Sequence, residues 1–405
     1  MADRKTDVTQ RSANASPPLQ PFFSTPQQRL ALARQRYFEE GVRPSGLLSE
    51  GLIQSWSRCM QAHRSPHEYV AFNPVTTSRA HSALQRSRLL VSSAAGELSQ
   101  LESTLAGTAC TAILTDAQGV VVHALRTAAD DAVLLPLAGR VGVDLTEEHV
   151  GTTAPGVTLR TGQSSVVLGA EHFFGCLQVL YCAAAPIRDI HGQLAGVLDV
   201  SSESRPFGFD AAAVVNMYAT TIENRLLRAQ STEHIVVHLQ TAPSLLGTPM
   251  EGLAGLDAHG RIAWVNGAAA RLLGLAYPSS GTPAEAVFGL DLAALARLTR
   301  NESASVHRLP NGLSVWLGAR MQSNDGAGPL VSLASLGAPG AATPPTRASA
   351  GEGECEGGPA TVPTLRDNDR HLIRQTVQAC GGNVSKAART LGVSRGLIYR
   401  HLKAS

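Results

Sequence analysis

Lysine is nearly missing from this chain. Lys5, Lys386 and Lys403 are the only three in 405 residues, and none follows a glycine. A nucleotide-binding P-loop needs a lysine directly after glycine to neutralise the β and γ phosphates, so none is present in these residues. Aromatic residues make up 4%. The six cysteines (Cys59, Cys110, Cys176, Cys182, Cys355, Cys380) contain no Cys-x-x-Cys pair. That argues against a disulfide framework and suits a reducing compartment. No apolar run approaches the 18 residues that span a bilayer. Residues 1–26 are polar and Pro/Ser-rich, so disorder is expected there and no secretory leader. Gly-x-Ser-x-Gly, His-Glu-x-x-His and dinucleotide fingerprints are all lacking. These absences predict a cytoplasmic protein that is not an enzyme, with no metal, no cofactor and no membrane contact.

What is present describes a globular chain long enough for two or three domains: 43% hydrophobic residues and a mean hydropathy of zero. Residues 27–77 read as a helical segment, with helical spacing over 29–40 and 49–60. In 78–240 a helix comes first, on which Leu84, Val91, Leu98 and Leu105 recur every seven residues with Ala94 and Leu101 between them. That stripe fits a partner helix or the helix's own domain equally well. Strand pairs follow, turning at Asp116–Gly119 and at Asp189–Gly192, where glycine supplies the positive φ of a tight turn. The strand before the second turn is read as starting at Cys176, and 209–238 reads as helix. Residues 241–336 repeat the pattern in a smaller unit: a hairpin over EGLAGLDAHGRIAWVN, a helix from Gly267, then strands in LPNGLSVWLGARM and GPLVSLASL. Trp264 and Trp316 read as core there. Residues 337–364, dominated by Gly, Ala, Pro, Ser and Thr, have no apolar face to bury and read as a flexible linker. The predicted class is multidomain α+β, antiparallel sheets with flanking helices, ending in an all-α unit.

That last unit, 365–405, carries eight Lys/Arg against Asp367 and Asp369, a net +6; the whole chain is +2, which leaves −4 for the rest. Leu372, Ile373, Val377 and Cys380 form the apolar face of one helix, stopped at Gly381-Gly382. Asn383 is placed to cap a second helix whose Ala387, Ala388 and Leu391 turn inward. Gly392 and Val393 make the turn, and Ser394 caps a third helix. This is the helix-turn-helix pattern. Ser394, Arg395, Tyr399, Arg400 and Lys403 form the exposed face that would enter a major groove, with Arg395 suited to guanine O6 and N7. Asn383, Ser385 and Lys386 are suited to backbone phosphates. Double-stranded DNA is the partner this reading predicts. A small basic domain for protein docking is the alternative.

NVSKAARTLGVSRGLIYRHLK resembles the Fis-type helix-turn-helix that ends many bacterial enhancer-binding regulators. Upstream, SWSRC (55–59), VGTTAPG (150–156) and AAPIRDIHGQLAGVLDVSS (184–202) are similar to the sensor region of the acetoin-catabolism activator family, and DAHGRIAWVN (257–266) to a PAS signature. The resemblance implies a GAF sensor, a PAS-like domain and a homodimer reading palindromic half-sites. It also implies a small-molecule effector in the GAF pocket, with Thr152, Thr153, Glu171, His172 and Cys182 as candidate lining, and RNA polymerase as a further partner. Family members carry an AAA+ ATPase between sensor and helix-turn-helix; here only the linker separates them, so ATP-driven sigma-54 activation does not carry over. An accessory module working on an ATPase-bearing relative is one alternative. A GAF-type redox enzyme is another, which would need a low-pKa thiol beside a resolving one. His172-x3-Cys176-x5-Cys182, with His149 and Glu171, is not a zinc spacing.

Overall fold

The computed structural model describes residues 25–321, apart from 126–130, 233, 278–280 and 302. The expected strand over 328–336, the linker and the helix-turn-helix lie outside the described residues.

α1 (Pro26–Arg34) starts at Thr25, whose hydroxyl accepts the Gln28 N–H while the Gln28 side chain accepts the N–H of Thr25. This capping box explains a start just after a proline-rich stretch. The helix widens into a π turn over Gln35–Glu39. α2 (Glu50–Gln61) buries Leu52, Ile53, Trp56 and Cys59 along one stripe. α3 (Thr77–Arg86) and α4 (Arg88–Leu105) divide the expected long helix at Ser87. Leu90, Ala94, Leu98, Leu101 and Leu105 are buried, whereas Leu84 is exposed. The seven-residue stripe on α4 therefore packs within its own domain.

The first sheet comprises β1 (Cys110–Asp116), β2 (Val121–Ala124), β3 (Ser165–Leu168), β4 (Leu180–Arg188) and β5 (Leu194–Glu203), in the antiparallel order β2-β1-β5-β4-β3. Between β2 and β3 run α5 (Leu134–Ala138), α6 (Glu147–Val150) and α7 (Ala154–Thr161). Strand alternation divides the side chains between two faces. Ala112, Leu114, Ala183, Ala185, Leu198 and Val200 pack under α4 and α8 (Ala211–Gln230). Those two helices are joined by the Glu97–Arg225 ion pair and by a 2.7 Å hydrogen bond between the hydroxyls of Thr104 and Tyr218. Ile113, Val167, Cys182, Ala184 and Val197 face the other way, into a core shared with Leu52, Trp56, Phe72, Phe173 and Phe174.

Helix α8 ends at Gln230, not at His238. Ile235-Val236-Val237 are β-branched and belong to β6 (Ile235–Gln240), the central strand of a second sheet. With β7 (Gly252–Leu256), β8 (Ile262–Val265), β9 (Ser305–Arg308) and β10 (Ser314–Met321) it is ordered β8-β7-β6-β10-β9, again antiparallel. α9 (Gly267–Leu273), α10 (Ala284–Phe288) and α11 (Leu292–Leu298) supply residues to the core on one face. Cys176 is a second correction: it sits in a 3-10 turn, Gly175–Leu177, ahead of β4, so it and Cys182 do not share a strand.

Three hairpins turn by one device. Asp116, Asp189 and Asp257 each accept, through Oδ1, two backbone N–H bonds two and four residues on. The fourth residue of each turn is a glycine, with φ of +83°, +70° and +71°. The two sheets are tied through the carboxyl half of α8. Asn224 Oδ1 accepts from Asn266 Nδ2 at 2.8 Å, Arg228 pairs with Glu251, and Leu227 packs on Val236, Leu253 and Trp264.

Candidate effector site

The sequence motifs SWSRC and VGTTAPG face each other in space. Ser55 and Thr152 hydroxyls hydrogen-bond at 2.7 Å, both buried. Arg58 grips Glu147, just ahead of VGTTAPG, with two bonds of 2.6 and 2.8 Å, and Cys59 lies 3.9 Å from Thr152 Oγ1. Trp56 Nε1 donates to the carbonyl of Glu171 at 2.8 Å. Gly151 takes φ +65°, ψ −152°, a region essentially closed to other residues, and a Cβ there would stand 2.6 Å from the Phe174 ring. Thr153 then caps α7 by accepting the Gly156 N–H at 3.3 Å. Both motifs act as a latch fastening α2 to the α6–α7 corner. Gly151→Ala is expected to lose about 2 kcal/mol or more from strain plus the Phe174 contact. In urea titration this should lower the midpoint without changing the slope.

Of the five candidate lining residues, the fold brings His172 and Cys182 into contact, 3.6 Å from Nε2 to Sγ. His172 Nδ1 is 2.9 Å from the carbonyl of Gly169, which can only accept, so Nδ1 carries the proton and Nε2 accepts from the thiol. Burial, with the Arg34 guanidinium adding, holds this imidazole down to about 4. Burial pushes the Cys182 thiol well above its usual range, and the nearby Asp199 adds to the effect. The pair is a neutral imidazole with a protonated thiol, not an ion pair poised for nucleophilic or redox chemistry. Glu171 accepts the Leu168 N–H at 2.7 Å, and burial raises its carboxyl. Thr152 and Thr153 are engaged by α2 and α7, and among the described residues neither hydrogen-bonds to the other three. His149, part of the set without zinc spacing, is on the surface beside Asp144. Among the described residues no group of three or more His, Cys, Asp or Glu could hold a metal.

The largest departure from the sequence reading is Asp199. It stands on β5, fully buried, on the same sheet face as Cys182 and Val197. Ser201 Oγ donates to its Oδ2 at 2.6 Å, while Oδ1 has no partner among the described residues. Burial raises this carboxyl to about 7. An aspartate inside the apolar run Val197-Leu198-Asp199-Val200 was the available signal, because strands are poor in aspartate. Farther along β5, Glu203 takes the backbone N–H groups of Leu134 and Leu135 at 2.9 and 3.0 Å, closing the start of α5. A cleft of about 390 Å³ bordered by Arg58, Arg64, Glu147, Glu148 and Arg160 contains none of the five candidates. The DNA-facing candidates Asn383, Ser385, Lys386, Ser394, Arg395, Tyr399, Arg400 and Lys403 lie outside the described residues. No described helix is long and apolar enough to cross a membrane.

Residues 25–219 match the family described as MimR, N-terminal domain, and residues 364–404 match the bacterial regulatory protein, Fis family. The acetoin catabolism regulatory protein of Cupriavidus necator is 34% identical over 247 residues, which are 59% of this chain and 36% of that protein. The propane 2-monooxygenase operon transcriptional activator MimR of Mycolicibacterium smegmatis is 27% identical over 202 residues, 48% of this chain and 32% of that protein. The chain therefore spans about a third of the length of these relatives. In the solved complex of Escherichia coli DhaR(N) with DhaL, one chain aligns at 15% identity and a TM-score of 0.42, over 67% of this chain and 99% of that one. The chain thus carries a segment similar to the MimR N-terminal domain and, at 364–404, one similar to the bacterial regulatory protein, Fis family, and over part of its length it is similar to the acetoin catabolism regulatory protein and to MimR.

Proposed function

We propose that this protein is a DNA-binding transcription regulator that responds to a small effector and performs no ATP hydrolysis of its own. The observation that carries the reading is the Fis-family match over 364–404, on the segment with the chain's net positive charge. In this reading the first sheet with its helices, through α8, is a GAF sensor, and the PAS-like domain begins with β6 at Ile235 rather than at residue 241 and runs to 336, with 337–364 tethering both to a dimeric helix-turn-helix. The effector in this reading is a small molecule drawn from catabolism; the relatives are named as regulators of acetoin catabolism and of a propane 2-monooxygenase operon. It acts from the core beneath α2 and α7. α8 offers the route outward, because Ile222 and Leu226 pack on the first sheet while Leu227 and Arg228 hold the second. A ligand that changes the packing of α8 biases what lies beyond it. The cytoplasm is the compartment this function requires; output runs by repression, by recruitment of RNA polymerase as a further partner, or by modulation of a full-length relative.

The test is selection of DNA from a random pool by the full chain, followed by binding against salt. Enriched sequences are expected to share half-sites about one helical turn apart. Affinity should fall steeply as salt rises, because phosphate neutralisation releases counterions. Arg395→Ala is expected to relax preference at one base position by about 1–3 kcal/mol while leaving much of the salt slope. Absence of any enriched sequence at low salt would sink the assignment.

A further inference from the structure

The turn that carries His172 into the core is held from outside. Arg34 on α1 donates to the carbonyls of Ala170 and His172 at 2.9 Å each and to that of Phe173 at 3.4 Å. Trp56 on α2 donates to the carbonyl of Glu171 at 2.8 Å. Four successive carbonyls thus end on two side chains from the N-terminal helices. Those helices are fastened very differently. α2 buries five residues and adds the Ser55–Thr152 and Arg58–Glu147 bonds. Across α1 and its π turn, Ala33 alone is buried. The segment rests on Leu30, Tyr37 and Phe38, all half-buried against the core, on a 2.7 Å bond between the Tyr37 and Ser57 hydroxyls, and on Arg34. Among the described residues every hydrogen bond of Arg34 goes to a neutral carbonyl, and burial lowers its guanidinium pKa. A segment with so few buried apolar contacts opens at a lower free energy than the fold around it. Single π turns, moreover, recur at functional sites.

We propose that α1 with its π turn is a strap that opens as one unit while the first sheet stays folded, that Arg34 is its pin, and that its opening is the way into the core at His172 and Cys182. When Arg34 leaves, the carbonyls of Ala170, His172 and Phe173 lose their donors together and take water instead. Phe38 leaves with the strap. Its ring sits edge-to-face on Phe173 at 5.6 Å, so that side of Phe173 is uncovered at the same time. His172 stands on the freed turn and Cys182 touches it at 3.6 Å, which makes them the inner groups that solvent reaches first. That the strap meters a small effector rests on the effector-responsive reading given above; that it opens does not.

The protein's own cysteines report the opening. Cys182 lies in the core behind the strap and Cys110 in the core under α4 and α8, both buried. The native full chain is pulsed with iodoacetamide, and each cysteine is read by peptide mass spectrometry. In the wild type Cys182 is expected to label faster than Cys110 and to respond only weakly to low urea, whereas Cys110 follows the steep slope of global unfolding. Arg34→Met keeps an unbranched stem against Phe38 and Trp56 but removes the donors. It should raise Cys182 labelling about ten-fold and leave Cys110 unchanged. Hydrogen exchange should rise together at 26–39 and 169–174. Equal urea slopes for the two thiols in the wild type overturn the strap, and do so even if Arg34→Met fails to fold. Equal acceleration of both thiols in Arg34→Met overturns it too, as does no acceleration at Cys182, or faster exchange at 169–174 beneath an unchanged 26–39. Selection of DNA from a random pool reports on the regulator reading separately. Labelling as expected with no enriched DNA keeps the strap and removes its assignment to an effector, while enriched DNA with equal urea slopes sinks the strap alone.

Discussion

Trp56→Ala is expected to cost about 3–5 kcal/mol, the range for removing a large aromatic side chain from a core that cannot collapse around it. The site has little freedom to relax. Trp56 is fully buried, with the ring centres of Phe38 and Tyr37 at 4.9 and 5.5 Å, and the Arg34 guanidinium lies 5.5 Å from its ring. Its indole N–H holds the carbonyl of Glu171, and Arg34 holds the carbonyls of Ala170 and His172 at 2.9 Å each. Removal therefore opens a cavity and leaves a half-buried carbonyl unpaired on the turn that carries His172. Urea unfolding followed by far-ultraviolet circular dichroism measures the total. Trp56→Phe keeps most of the ring and loses the hydrogen bond, so it should account for about 1–2 kcal/mol of it. Hydrogen exchange should rise at 169–174 in both variants, more in the alanine. A loss below about 1 kcal/mol for Trp56→Ala would show that the latch does not hold the turn.

That latch was half legible in the sequence. SWSRC lay on an expected helix and both segments resembled motifs of the sensor family, but nothing local says that Ser55 and Thr152, 97 positions apart, meet. The hairpin turns were legible because Asp-x-x-Gly is a local device: the aspartate closes the turn and the glycine takes the positive φ. β6 was not legible. It directly follows α8, and a short apolar run with His234 and His238 at helical spacing satisfies either period until its pairing with β7 and β10 settles the matter. The lining set was legible in part. His172 and Cys182 touch, whereas the threonines of the motif serve the backbone. Asp199 was missed because an acid inside a strand reads as a turn or an exposed position, and only the five-stranded sheet makes it central.

Asp199 and His172 should also pull stability in opposite directions as pH changes. The Asp199 carboxyl is raised from 3.8 to about 7, so folding favours its neutral form. Its contribution is intact below the unfolded value of 3.8 and is lost as pH rises through 7. His172 is lowered from 6.5 to about 4, so folding favours neutral imidazole. Its contribution is intact above 6.5 and is lost as pH falls through 4. Between about pH 4 and 6.5 the two slopes oppose, and each hides the other in the wild type. Removing one exposes its counterpart. Asp199→Asn cannot ionise, so relative to wild type it should gain roughly 3 kcal/mol between pH 5 and pH 8. His172→Gln should show the reverse, gaining roughly 2 kcal/mol relative to wild type between pH 8 and pH 5 on top of a constant loss from its Gly169 and Cys182 contacts. Urea titrations of the three proteins at pH 5 and 8 decide it. If the Asp199→Asn difference is flat with pH, the carboxyl is ionised at both values in the folded state, and the buried face must hold a counter-charge that the side chains on it do not supply.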